Sequence, residues 1–108
     1  MRIIEGAGGY SDPGEASNNY VEQLRSADLS VGTYSIRAGG TDDQTPHAED
    51  EIYVVTAGRA RIVTPTGEAP VSPGTVVFVA AGEEHRFVDV AEDLALLVFF
   101  APPYRSRA

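Results

Sequence analysis

Along most of this chain hydrophobic and polar positions alternate in short runs, and glycine or proline cuts each run off. Thr33-Tyr34-Ser35-Ile36-Arg37 alternates and stops before Gly39-Gly40. Glu51 to Thr56 is β-branched and aromatic and ends at Ala57-Gly58. Arg59 to Thr64 alternates again and closes on Pro65-Thr66-Gly67, a turn of the hairpin kind. Thr75 to Val79 reads as a buried strand and His85 to Val88 as a short one; Leu94 to Phe100 is the most apolar, ended by Pro102-Pro103. Strands recurring with turn signals about every 8–12 residues predict an all-β sandwich or barrel. Ala16 to Leu24 differs, since its pattern admits a helical turn or two against two Asn and a β-branched Val. The segment before it, heavy in Gly, Ser and Pro, reads as an arm. The expected division is an N-terminal arm over 1–28, with that short helical turn, and a barrel over 29–104.

Composition narrows the chemistry. With 108 residues, 43% of them apolar and 22% charged, the chain is one ordinary globular domain. It has no cysteine, which excludes disulfides, zinc-thiolate sites, iron–sulfur ligation and thiol nucleophiles. All eight basic residues are arginine, so Schiff-base and phosphate-loop lysines are excluded too. A net charge of −8 argues against a nucleic-acid partner, whose affinity comes from cationic side chains. The longest apolar run, Leu94 to Ala101, is strand-sized and far below the ~18 residues of a membrane span. The N-terminal residues lack the apolar stretch of a secretory signal. We expect a cytoplasmic protein with no membrane contact.

The two histidines, His47 and His85, each sit at a strand edge beside acids. Where the chain is extended, His47, Glu49 and Glu51 share a face. Two imidazoles and one carboxylate meeting at a point form the facial triad that binds a divalent metal and leaves positions open. The bland alternative is a solvated acidic loop, because four acids fall within Asp42 to Asp50.

Spacing separates the two readings. The first segment runs Gly39, five residues, Thr45, one residue, His47, three residues, Glu51, six residues, Gly58. The second runs Gly74, five residues, Ala80, one residue, Gly82, two residues, His85, three residues, Asp89. Together they resemble the two-motif signature of the cupin superfamily, G-x5-H-x-H-x3-E-x6-G and G-x5-P-x-G-x2-H-x3-N. The resemblance covers about residues 29 to 101. It implies a single small β-barrel of jelly-roll topology, a double-stranded β-helix, with one divalent transition metal held inside by His47, Glu51 and His85. That metal would be iron, manganese, nickel or zinc. Ala80 for Pro and Asp89 for Asn are mild departures. The third matters more, because the family's first histidine falls on Thr45 and a hydroxyl is a poor substitute for imidazole. The spare position is left to water, substrate, Gln44, or Glu49.

Other residues admit two roles. Arg59 and Arg61 could clamp a substrate carboxylate or stand outward as strand-edge charges; Arg37 and Arg86 are similar. Tyr53 follows Glu51 by two and should point into the barrel, with core packing and a satisfied hydroxyl as its plainer role. Phe87, Phe99 and Phe100 read as core or pocket wall, and Pro102-Pro103-Tyr104 as a tail against a neighbour. The expected function is metal-dependent chemistry on a small organic molecule, an oxygenase, isomerase or relative, with Glu49 as a candidate base. A non-catalytic binding or sensing barrel is the alternative. The resemblance further implies a homodimer paired through sheet edges.

Overall fold

The structure is a computed structural model, and it describes residues 1–107. Eight strands follow one another: β1 (Asn18–Arg25), β2 (Ser30–Ile36), β3 (Asp50–Ala57), β4 (Ala60–Thr64), β5 (Gly67–Val71), β6 (Val76–Val79), β7 (Arg86–Val88) and β8 (Leu94–Ala101). They form a five-stranded sheet, in the order β1-β2-β8-β3-β6, and a three-stranded sheet, β5-β4-β7, with every pairing antiparallel. This is the all-β architecture that the alternating pattern predicts, in the two-sheet arrangement that the resemblance implies. No helix long and apolar enough to cross a membrane occurs among the described residues.

Strand β3 shows how sequence becomes position. Glu51, Tyr53 and Val55 are buried inside the barrel, while the alternate positions Ile52 and Thr56 face outward. Glu51 lies opposite Phe100 of β8 and Val79 of β6, and Tyr53 lies opposite Val98 and Val77. The core contains Ile36, Leu94, Leu96, Phe87 and Ile62, so both sheets contribute to it. Tyr53 and Phe87 meet edge to face across that core, with centroids 5.0 Å apart. Gly58, at φ +87 between β3 and β4, packs against the Asp93 carbonyl where a Cβ has no room.

Several expectations are corrected. The stretch from Ala16 to Leu24 is not helical: Asn18–Arg25 is a strand paired along β2, and the bare backbone of Gly32 accommodates the Tyr20 ring. Long-range pairing overrides a weak local helical pattern. The expected arm therefore contributes a strand, and its earlier part lies across the outer face of the large sheet. There Gly8 N donates to Thr33 Oγ1 at 2.8 Å and Ser11 N to Ser35 Oγ at 3.1 Å. Thr75 to Val79 is not a buried strand either. Within it β6 is a sheet edge, and Val76 and Phe78 are 62% and 61% exposed. Phe99 likewise points outward. The tail packs on its own chain, since Tyr104 stacks on Phe100 with centroids 4.7 Å apart.

Candidate metal centre

Three segments meet at one end of the barrel interior. The start of β3 supplies Glu51, the loop before it supplies His47, and the loop before β7 supplies His85. The two loops are tied together by their backbones, with Gly82 N donating to the His47 carbonyl at 2.7 Å. Ala81 N donates to Asp50 Oδ1 at 2.9 Å, which ties the second loop to the start of β3. As a result one ligand atom from each of His47, Glu51 and His85 lies within 4.8 Å of the others. The histidine rings sit 5.9 Å apart.

Each ring is oriented by its neighbours. His85 Nδ1 lies 2.9 Å from the Glu83 carbonyl, an acceptor only, so Nδ1 carries the hydrogen and Nε2 faces the cluster. His47 is packed edge-on against Phe100 and Tyr104. Burial lowers the His47 pKa, against the opposing pull of Glu51. Burial also acts to lower His85, but the Glu51 carboxylate and the Glu83 carbonyl outweigh it and its pKa is raised.

The cluster has more acceptors than donors. Glu51 Oε1 lies 3.1 Å from His85 Nε2, yet that contact lacks hydrogen-bond geometry. The oxygen is buried without a hydrogen-bond partner. Tyr53 Oη is 2.9 Å from His85 Nε2 and 3.0 Å from Gln44 Oε1, and its one hydrogen can serve only one of them at a time. Burial, then Glu51, pushes the Tyr53 phenol well above its ordinary pKa, so it stays protonated. A buried carboxylate oxygen and imidazole nitrogen facing each other without a shared hydrogen suit a cation. By that test the residues fit a divalent metal.

Behind the cluster stands Asp42, a residue the sequence presents as one acid in a solvated loop. It is buried and accepts from Tyr34 Oη at 2.7 Å, Phe87 N at 2.8 Å and Gln44 Nε2 at 2.8 Å. Thr45, at the position of the family's first histidine, is exposed. Glu49 is buried but does not line the cavity, which weighs against it as a base acting on substrate. Arg61 pairs outward with Glu68 at 2.9 Å and Arg37 with Asp12 at 3.4 Å, so neither clamps a ligand.

A cavity of about 340 Å³ opens beside the cluster, within the size range of small-molecule sites. Its walls include His47, Glu51, Tyr53, Tyr20, Phe100 and Tyr104. Arg105 is the cation among its lining residues. Tyr104 and Arg105 belong to the tail, which hydrogen bonds hold in place: Tyr104 N donates to Ser30 Oγ at 2.9 Å, Arg25 donates to the Tyr104 carbonyl, and Arg107 donates to the Ala48 carbonyl at 2.9 Å. The sequence gives no sign of this wall beyond two aromatic and cationic residues after a Pro-Pro break.

Comparisons with known proteins bear on the family and the fold. Residues 32–100 match the family described as the cupin domain. An uncharacterized protein of Streptomyces coelicolor is 48% identical over 84 residues, which are 78% of this chain and 80% of that protein. Among solved structures, KdgF from a Halomonas species superposes with a TM-score of 0.77 at 18% identity, over 92% of this chain and 90% of that one. The DMSP lyase DddQ from Ruegeria pomeroyi superposes with a TM-score of 0.76 at 19% identity. That match covers 99% of this chain and 57% of the lyase. At such identities the structural likeness establishes the fold alone.

Proposed function

The chain belongs to the cupin family, and from that premise we propose that it is an enzyme acting on a small organic molecule at a divalent metal centre held by His47, Glu51 and His85. The observation that carries this reading is the buried, unpartnered Glu51 Oε1 set 3.1 Å from an imidazole nitrogen at the edge of a cavity. Two imidazoles and a carboxylate suit iron, manganese, nickel or zinc. A bound ion of this kind supplies Lewis acidity or, for iron, oxygen activation.

The chain's own groups do the rest. The aromatic walls of Tyr20, Phe100 and Tyr104 exclude water from one side of the substrate. The Tyr53 hydroxyl holds a proton beside His85 Nε2. Arg105 offers a charge to an acidic substrate group. That solved neighbours include an enzyme, the DMSP lyase, is compatible with catalysis, although its reaction belongs to that protein. The second reading, a non-catalytic binding or sensing barrel, is favoured by one observation: the family's first histidine is an exposed threonine here.

Elemental analysis of untagged protein beside His47→Ala tests the proposal. About one equivalent of a transition metal is expected in the wild type and none in the variant. If neither protein holds metal even after reconstitution, the metal-enzyme reading is wrong and the binding barrel stands.

We further propose that the chain forms a homodimer and works in the cytoplasm, the latter supported by its lack of cysteine. Pairing is supported by an outward row in which Phe99, Ile52 and Phe78 lie side by side across β8, β3 and β6, with Val76 nearby, at an edge strand. Light scattering at micromolar concentration is expected to give twice the chain mass for the wild type and the single mass for Phe78→Asp. A monomeric wild type refutes pairing.

A further inference from the structure

Resting on the metal-centre reading above, we infer that Gln44 supplies a fourth protein donor through its side-chain amide oxygen, in place of the imidazole missing at Thr45. The amide has only one orientation its neighbours accept. Gln44 Nε2 lies 2.8 Å from Asp42 Oδ2, and Asp42 also accepts from Tyr34 Oη and Phe87 N. A carboxylate serving several donors is an acceptor, so the amide nitrogen faces Asp42 and the amide oxygen faces the cluster.

Distance supports the same assignment. Gln44 Oε1 lies 3.1 Å from His47 Nε2 and 3.0 Å from Tyr53 Oη. Within the same cluster His85 Nε2 lies 3.1 Å from Glu51 Oε1. Neighbouring donors on one divalent ion, each bonded at about 2.1 Å, stand about 3 Å apart when their bonds are perpendicular. The Gln44 and His47 atoms already have that spacing. Thr45 lines the rim of the cavity and is exposed, and its side chain brings no imidazole to the cluster, whereas Gln44 reaches it with an amide oxygen.

The chemical consequence is a mixed set of two imidazoles, one carboxylate and one amide oxygen. It is richer in hard oxygen donors than a three-imidazole set, which favours manganese or iron(II) over softer ions. Asp42 then acts as a positioning residue, holding the amide as outer carboxylates hold ligating histidines.

Cobalt(II) titration of chelator-stripped full-length protein, followed by calorimetry and visible absorption, tests the assignment. His47→Ala serves as the control for the site, Gln44→Leu removes the donor, and Gln44→His replaces it with an imidazole that can still donate to Asp42. Circular dichroism checks that each variant is folded. We expect His47→Ala to lose binding, and Gln44→Leu to weaken it by at least about 10-fold, less than loss of a charged ligand because the amide is neutral, with a changed cobalt spectrum. Gln44→His should recover wild-type affinity or better, with bands displaced by the change from oxygen to nitrogen. Should Gln44→Leu fail to fold, displaced bands in Gln44→His carry the proposal and unchanged bands overturn it. A Gln44→Leu spectrum identical to wild type overturns it at any affinity, because the residue then only positions His47, while the metal centre itself stands. No cobalt uptake by the wild type overturns both readings.

Discussion

Glu51→Gln is expected to abolish metal retention while leaving the chelator-treated protein at least as stable as the wild type. Loss of a group behind a metal ligand costs about 10- to 100-fold in affinity, so loss of a directly bound carboxylate should exceed about 100-fold. The stability effect has the opposite sign for a local reason. In the protein alone the buried Glu51 Oε1 lacks a hydrogen-bond partner and faces the lone pair of His85 Nε2. An amide nitrogen there has hydrogens to give to that nitrogen and carries no charge to desolvate.

The pH dependence follows from His85, whose folded pKa is raised chiefly by Glu51 against the effect of burial. A raised value means that the wild-type carboxylate stabilises the fold below the unfolded histidine pKa of about 6.5. That contribution disappears as pH rises through the folded value. The advantage of Glu51→Gln in thermal midpoint should therefore be read at pH 8 and shrink or reverse at pH 5.5. A variant destabilised at pH 8 would show that Glu51 is a structural residue and remove the main support for a cation site.

Asp42→Ala is expected to lower stability by about 3–5 kcal/mol, the largest single effect on folding in the molecule outside the apolar core. The carboxylate joins three parts of the chain that no strand pairing connects. It binds Tyr34 of β2, the backbone of Phe87 in β7, and Gln44 in the loop before β3. Burial and then Asp42 raise the pKa of the Tyr34 phenol, which therefore donates throughout the accessible pH range. Removal leaves two buried donors, Tyr34 Oη and Phe87 N, and the half-buried Gln44 amide without an acceptor, each costing about 1–3 kcal/mol if water cannot reach it. Urea unfolding of the chelator-treated protein measures the loss, which must come without metal to separate it from any effect on Gln44. A loss below about 1 kcal/mol would mean that solvent replaces the carboxylate and that the loop is held by other contacts.

How much of this was legible in the sequence depends on the range over which each feature is decided. The alternation in β3 is local, so the inward placement of Glu51 and Tyr53 follows from the order of residues. The histidine segments are legible by spacing, which reflects a barrel that returns the chain to the same end. Asn18–Arg25 is not legible as a strand, because its conformation is settled by β2 and by the bare backbone of Gly32. Thr75 to Val79 misleads for the converse reason. Its apolar residues suit a buried strand, and only the sheet order reveals that β6 is an edge. Asp42 and Asp43 are adjacent and chemically alike, yet one is buried and the other exposed. No local pattern distinguishes them, and so the anchoring of Gln44 could not be read in advance.

The tail segment carrying Tyr104 and Arg105 forms part of the cavity wall but belongs to no strand. Hydrogen bonds to Ser30, Arg25 and Ala48 hold it, whereas β3 and the two histidine loops hold the donor atoms. The surface that greets an incoming molecule is thus encoded apart from the residues that hold the donor cluster. Under the proposed function, substitutions at Arg105 are expected to re-shape ligand choice while His47, Glu51, His85 and the barrel core stay as they are, whereas Tyr104 also packs on His47. For a designer this makes the tail the natural place to diversify. For an evolving lineage it is a means of changing clientele without first surrendering the chemistry.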